Sequence, residues 1–322
     1  MRLKGKSILV TGGAGFIGSH LVDGLISKEP ESIVITSSSA GNMRNLAGAQ
    51  NKFRKLKLIK QDASNYNAMK KITQENNFDF VFNLAAIPLP ASLIKPKRTF
   101  QKNVDITMCI CEIARTDKIG KIIHFSSSET LGTARKIPMD EDYAGYSETP
   151  YAASKTACDH LIYSYHRTFG IKASILRPFN VYGPRQKTGK YAALIPLTIK
   201  KVLDNEPVTI YGDGQQTRDY IYVTDVVKGA IAIAESENTD GEIINIASGK
   251  EITVNKVVNA VVNCLGKKSE VIYKNERPGD VRRQVADISK AERLLQFKPD
   301  VSFNEGIKIT AKWYKNNREF WC

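Results

Sequence analysis

At 322 residues, 42% hydrophobic and 25% charged, the chain has the mass and composition of one large globular domain or two modest ones. No stretch approaches the ~18 consecutive apolar residues of a membrane span, which excludes an integral helical membrane protein. The net charge of +14 is spread over helices and loops with no aromatic-interleaved basic run, so it points away from nucleic acid and towards an anionic small substrate on a solvated surface.

The first element is a strand over 7–10, where Ile8, Leu9 and Val10 form an apolar run suited to a buried parallel strand. Gly12, Gly15 and Gly18 follow at three-residue spacing, and Phe16, Ile17, Leu21 and Leu25 open a helical period. A chain leaving a strand to enter a helix must turn tightly, and missing β-carbons let backbone N–H groups approach a pyrophosphate. With a strand before it and a helix after it, the triplet reads as a dinucleotide-binding turn rather than an ordinary glycine turn. A second strand covers 32–36. Its end normally carries an acid that takes the adenosine ribose hydroxyls, but here stand Thr36, Ser37, Ser38 and Ser39, with Arg44 a little later. Hydroxyls and an arginine can donate to a 2′-phosphate, which favours NADP; a serine-rich loop that binds NAD through its backbone is the other reading.

A third strand over 57–60 ends in Gln61 and Asp62, next to Ala63, a place where an adenine amino group is often held. The fourth, over 79–83, runs into Leu84 and the small Ala85 and Ala86, which allow backbone beside a cofactor. A helix over 103–116 begins with Asn103, assigned to the cofactor, and carries an apolar stripe at Val104, Met108, Cys111 and Ile113. Another apolar strand covers 121–125. Strand and helix alternate to this point, the mark of an α/β doubly wound parallel sheet whose ligands sit beyond the carboxyl ends of the strands.

The chemistry-bearing segments come next. Ser126, Ser127, Ser128 and Glu129 directly follow a strand, and Tyr151 and Lys155 open a helix four residues apart, on one face. An ammonium beside a phenol favours the phenolate, lowering a pKa near ~10 towards the working range. Such a tyrosine can take the proton of a sugar hydroxyl while hydride leaves the same carbon, with the serine hydroxyl holding that oxygen.

Seven motifs carry a resemblance over nearly the whole chain: TGGAGFIG from Thr11, NLAA from Asn83, SSSETLG from Ser126, YAASK from Tyr151, RPFNVYGPR from Arg177, YGDGQQTRDYIYVTDV from Tyr211 and RPGD from Arg277. Together they resemble the extended short-chain dehydrogenase/reductase family, specifically its nucleotide-sugar 4-epimerases and 4,6-dehydratases. The resemblance implies a Rossmann-type sheet with a smaller C-terminal α/β substrate-binding domain. It makes Tyr151 the base, Lys155 its ribose-holding partner and Ser127 the third catalytic hydroxyl. Asn180, Arg185, Arg218 and Arg277 fall to the diphosphate hexose, a task that the planar forks of arginine suit. It also implies a homodimer formed by the helices at 103–116 and 151–169. The sequence departs from the family at Thr36, at Asn83 (where histidine is frequent), at Leu131 (where tyrosine is frequent) and at Glu129.

Glu129 carries the most information. Ser127-Ser128-Glu129 resembles the hydroxyl-hydroxyl-glutamate run of GDP-mannose 4,6-dehydratases, placing Ser128 and Glu129 with the catalytic residues. Oxidation at C4 acidifies the C5 proton; a carboxylate near C5 can abstract it, and water leaves from C6. Without that carboxylate, a 4-keto intermediate can only be reduced again, which gives epimerisation. The run RPGDVRRQVADISKAERLL looks more like the 4-epimerases, so the two activities stay open together. A glucuronate decarboxylase-like activity is a further alternative, as is a non-catalytic NADP-sensing or nucleic-acid-binding protein; the intact Ser127, Tyr151 and Lys155 argue against the latter.

After Arg177 the organisation changes. The division expected is 1–180 for the NAD(P)-binding domain and 181–322 for the nucleotide-sugar domain, with segments near 211–247 returning to the first. Helices are read at 194–203, 223–234, 254–265 and 289–295, and strands at 207–211 and 243–246. Trp313 and Trp321 read as packing or helix-ending residues. Five scattered cysteines without C-x-x-C spacing suit reduced thiols and neither a disulfide framework nor a metal site. With a strand starting almost at once, no leader peptide is expected, and the location expected is cytoplasmic.

Overall fold

The apolar run after Lys6 is enclosed on both faces: Ile8 and Val10 point into one core layer and Leu9 into the other. That two-sided burial is what a central parallel strand demands. The computed structural model describes residues 2–38, 40–117, 119–189, 192–276 and 279–320. Arg277, Ser39 and Trp321 therefore lie outside the described residues. In chain order the strands are β1 (Ser7–Thr11), β2 (Ser32–Ser37), β3 (Leu56–Lys60), β4 (Phe80–Asn83), β5 (Lys121–Phe125) and β6 (Ala173–Pro178). They continue as β7 (Asn180–Tyr182), β8 (Val208–Tyr211), β9 (Thr217–Tyr222), β10 (Ile243–Ile246), β11 (Glu251–Thr253) and β12 (Val271–Lys274). The helices are α1 (Phe16–Ile26), α2 (Ala47–Lys52), α3 (Tyr66–Asn76), α4 (Leu89–Ser92), α5 (Pro96–Thr116) and α6 (Pro150–Phe169). Then come α7 (Leu194–Leu203), α8 (Val223–Glu235), α9 (Val254–Leu265), α10 (Ser289–Leu295) and α11 (Phe303–Asn316).

Seven strands pair in the order β10-β6-β5-β4-β1-β2-β3, every pair parallel. This is the Rossmann-like doubly wound sheet expected. One face is covered by α1 and α8 through Leu21, Val22, Leu25, Val226, Ala230 and Ile233. The other is covered by α3, α5 and α6 through Met69, Ile72, Ile106, Ile110 and Ile162. Because all seven strands run the same way, residues 12, 84, 126, 179 and 247 emerge on one edge. The last strand, β10, joins the sheet beside β6 after an excursion through the C-terminal elements, and α8 packs on α1.

Away from the sheet, β7, β9 and β11 form a three-stranded sheet and β8 pairs with β12. Helices α7, α9 and α11 close over them on a cluster of Tyr182, Ile199, Tyr222, Val261, Ile307 and Tyr314. A buried ion pair secures the far end of the large sheet. Lys121 Nζ, fully enclosed, donates to Ser236 O at 2.8 Å and to Thr239 Oγ1 at 2.9 Å, and lies 2.9 Å from Asp240 Oδ1.

The helix read over 103–116 starts seven residues earlier, at Pro96. Proline at the first helical position needs no amide donor, and apart from the buried Thr99 the intervening stretch is polar or exposed, so no apolar period announces it. Among the described residues no helix is long and apolar enough to cross a membrane.

Candidate active site

Gly12 has φ +69°, and a Cβ there would stand 3.0 Å from the Ala85 backbone; at Gly18 it would run into the Gly12 carbonyl and Gly13. Both positions need glycine for that reason. The close approach is enforced from below. Thr11 Oγ1 donates to Asn83 Oδ1 at 2.8 Å and accepts the N–H groups of Leu84 and Ala85, each at 3.1 Å. One hydroxyl thus ties the ends of β1 and β4 together, and Asn83 is the residue that orients it. Helix α1 begins at Phe16 and Ile17 behind Gly15, which offers no side-chain cap, and its first turn holds no acid. Its leading amides face the sheet edge with only a ligand or solvent to satisfy them, an arrangement that fits a pyrophosphate.

The remaining positions read for the cofactor divide. Asp62 is partly buried; the push of burial on its carboxyl is outweighed by Lys102 and Ser64, which hold it below the usual range. Ala63 sits in the core layer under α3. Ala86 and Ser38 are exposed and Ser37 partly so. Thr36, expected to offer its hydroxyl, is 0% exposed and its Oγ1 faces no polar partner. It is enclosed in the packed interior; among the described residues at this end Ser38 and Arg44 are exposed and Ser37 partly so. Arg44 is exposed, and its Nη1 donates to Glu319 O at 2.8 Å. Asn103 is 2% exposed, and its amide is committed to Ile87 (2.7 and 3.1 Å) and to Ser154 (2.9 Å), so it braces the turn after β4 against α6.

Ser127, Glu129 and Tyr151 come together at the carboxyl end of β5. Ser127 caps a 3-10 turn at Ser128–Leu131, its Oγ accepting the Glu129 N–H at 3.3 Å, and the same hydroxyl bonds the Tyr151 phenol. Helix α6 starts at Pro150, with Thr149 Oγ1 accepting the Ala152 N–H at 3.1 Å; this capping delivers Tyr151 in the first turn. Burial pushes the Glu129 carboxyl up; Arg218 opposes it, while Asp280 and Glu148 add to it. That places Arg218 close to the carboxylate. Ser128 is 4% exposed and bonded to Gln284 rather than turned to the cleft.

Lys155 departs from the expectation. It shares a face with Tyr151, but its Nζ donates to the Phe125 carbonyl at 2.6 Å, fixing the last residue of β5. The phenol of Tyr151 is consequently pushed up, not down: burial is the largest cause, Ser127 alone pulls the other way, and Glu129, Cys158 and Asp159 add to the rise. Burial also lowers Lys155 itself, against the pull of Cys158 and Asp159.

Behind these groups lies a polar cluster that joins the first residues of three motifs, Asn83, Ser126 and Arg177, to His124 and Asp159, which the motifs do not include. Ser126 Oγ donates to Asp159 Oδ2 at 2.7 Å, and Arg177 Nη2 reaches the same oxygen at 3.4 Å. Asn83 Nδ2, its oxygen already used by Thr11, faces His124 Nδ1 at 3.2 Å. His124 therefore carries its proton on Nε2, 4.0 Å from Asp159 Oδ1, and burial holds it neutral. Elsewhere, Asn180 Nδ2 contacts Asp219 O at 3.4 Å and Gln284 Oε1 at 3.2 Å. Arg218 bonds Asp280 at 2.6 Å, and Arg185 turns away to Asp23 on α1 at 2.7 Å.

The GDP-mannose 4,6 dehydratase family matches residues 9–310 of the chain. A putative UDP-glucose 4-epimerase of Methanocaldococcus jannaschii is 37% identical over 96% of this chain and 99% of its own length. A UDP-glucose 4-epimerase from Thermotoga maritima, solved with UDP-glucose, is similar with a TM-score of 0.91 at 32% identity, covering 97% of this chain and 99% of that one. A dTDP-glucose 4,6-dehydratase from Streptomyces venezuelae, solved with NAD bound, gives a TM-score of 0.92 at 30% identity over 98% of each chain.

Proposed function

The chain belongs to the GDP-mannose 4,6-dehydratase family of extended short-chain dehydrogenase/reductases, and we propose that within it the protein is a nucleotide-diphosphate-hexose 4,6-dehydratase. One observation carries the choice: Glu129 sits one residue beyond the Ser127–Ser128 pair, its backbone N–H on the hydroxyl that also bonds Tyr151, with its carboxyl held up by burial. A C4 epimerase has no use for a second base at that point.

Tyr151 Oη takes the proton of the C4 hydroxyl, and Ser127 Oγ holds that oxygen as it becomes a ketone. The Gly12–Gly18 turn and the leading amides of α1 would hold a nicotinamide dinucleotide, which would supply the hydride acceptor for C4 and the hydride donor for C6. Glu129 removes the C5 proton that the ketone has acidified and passes it to the departing C6 hydroxyl, which leaves as water. A proton returns to C5, balancing the one that Tyr151 took, and no outside oxidant is consumed. Lys155 holds the end of β5, and with it Ser127, in place. Arg218 and Asn180, with Arg277, bind the diphosphate, and Asn103 positions the cofactor turn.

With no carboxylate at the end of β2 and Ser37, Ser38 and Arg44 facing outward, the dinucleotide is NADP in preference to NAD. Residues 1–180 together with α8 and β10 hold it, and the rest of 181–322 binds the sugar nucleotide. A homodimer of this cytoplasmic enzyme uses the outer faces of α5 and α6, where Phe100, Met108, Tyr163 and Phe169 are exposed. The deciding experiment incubates the enzyme with UDP-, GDP-, dTDP- and CDP-hexoses and follows the product by mass. Loss of one water supports the proposal. An unchanged mass with inverted C4, the activity named for the Methanocaldococcus jannaschii relative, refutes it.

A further inference from the structure

Gln284 lies outside the seven motifs, within the RPGDVRRQVADISKAERLL run; it is 0% exposed and lies against the catalytic turn. It sits in a segment that ties the C-terminal elements to that turn. At the start of the segment Arg218 binds Asp280 at 2.6 Å and the Val281 carbonyl at 2.5 Å. Next, Arg282 and Arg283 point outward and fork onto Asp213 and Glu251, each with two bonds between 2.7 and 2.9 Å. The backbone then runs beside the loop that follows the catalytic turn. Ala134 N donates to Arg283 O at 3.0 Å, Met139 N to Val285 O at 2.9 Å, and Asp287 N to Met139 O at 2.8 Å.

Between these anchors the Gln284 side chain turns inward. Its Nε2 donates to the Ser128 carbonyl at 3.0 Å, and its Oε1 accepts from Ser128 Oγ and Asn180 Nδ2, both at 3.2 Å. The carbonyl so held belongs to the peptide that leads into Glu129. Only a side chain that donates and accepts can meet all three groups: a carboxylate would set oxygen against oxygen at Ser128, and an apolar side chain would satisfy none of them.

We propose that Gln284 is a positioning residue for proton removal at C5: its amide fixes the peptide entering Glu129 and the Asn180 side chain in one register, so that base and substrate contact are set together. The inference rests on the dehydratase reading. A 1 Å displacement of a catalytic group can cost about a hundredfold in rate, and Tyr151 is reached through Ser127, not through Gln284. Loss of the Gln284 amide therefore slows the Glu129 step and leaves C4 oxidation in place.

The test compares wild type with Gln284→Met and Gln284→Glu, using purified holoenzyme and the accepted sugar nucleotide. Thermal midpoint, rate of cofactor reduction on mixing, and rate and KM of dehydrated product are read for each. Gln284→Met is expected to keep cofactor reduction within about threefold while product formation falls about thirtyfold, so that reduced cofactor accumulates. Gln284→Glu, which keeps both acceptor contacts and loses the donor, falls between the two. Product formation at the wild-type rate overturns the inference. So does an equal loss of reduction and product, which would mean a merely structural role. Should Gln284→Met fail to fold, the same split measured on Gln284→Glu decides. Wild type that dehydrates while Gln284→Met is unimpaired removes the inference alone; wild type that releases only a C4 epimer removes the dehydratase reading, and the inference with it.

Discussion

Replacing Glu129 with glutamine separates the two halves of the reaction. The amide keeps the shape of the side chain and gives up only the ability to take a proton. Burial already disfavours the charged carboxyl, so a neutral amide there leaves folding nearly unchanged. General base catalysis contributes roughly a hundred- to ten-thousandfold, equivalent to about 2.7–5.4 kcal/mol of barrier. Dehydrated product should fall by that factor, while the Ser127–Tyr151 hydrogen bond, and with it C4 oxidation, stays intact. Rapid mixing with substrate should then show reduced nicotinamide absorbance rising and persisting, with no loss of water by mass. The pH profile supplies the sign. A base must be deprotonated, and burial raises this one, so product formation is lost as pH falls through a value above the ordinary carboxylate range. That acid limb should vanish in Glu129→Gln. The reasoning fails if the variant releases dehydrated product at the wild-type rate, or if cofactor reduction disappears along with it.

Tyr151→Phe should lower cofactor reduction at least about a hundredfold while the dinucleotide stays bound; in wild type, because burial raises the phenol, that rate should climb as pH rises above neutrality, read by stopped flow. Gly18→Ala should cost about 3 kcal/mol and strip the cofactor, since its β-carbon meets backbone of Gly12 and Gly13 that cannot yield; urea unfolding and bound-dinucleotide content check this. Lys121→Met should lower stability by about 3 kcal/mol, because it strands Asp240 and the Ser236 carbonyl, and calorimetry should show it without a change in KM. Arg44→Ala should weaken NADP about tenfold and leave NAD unaffected in a binding titration, as expected for loss of a charge-assisted contact worth ~1.4 kcal/mol.

The elements that could be read ahead were those whose pattern is local. The runs at Leu194–Leu203, Ile243–Ile246 and Val254–Leu265 carry their own periodicity, and the sheet follows from strands alternating with helices. Helix α11 has the period of an amphipathic helix, with buried Ile307, Thr310, Ala311 and Tyr314 three or four apart, yet stands outside the sequence reading; α3 stands outside it because its composition is mostly polar. At the site, Ser127, Glu129 and Tyr151 were legible because each stands at a strand end or a helix start. What could not be read is where a long side chain reaches. Lys155 is four residues from Tyr151 in sequence, yet it reaches a carbonyl 30 residues back. Thr36 stands at the expected strand end, but its hydroxyl is turned inward. Gln284 lies in a run whose family pattern is legible, but nothing local shows that its partner is 156 residues distant.

That last separation bears on biosynthesis. A chain still being made presents the glycine turn, the serine pair and the tyrosine long before residues 280–287 are translated. The Gln284 amide, which joins the Ser128 carbonyl to Asn180, is then absent until nearly nine-tenths of the polypeptide has been made. A nascent or truncated product can thus form the glycine turn while the register around Glu129 is incomplete, and on the proposed dehydratase reading the step at C5 would wait for the closing segment.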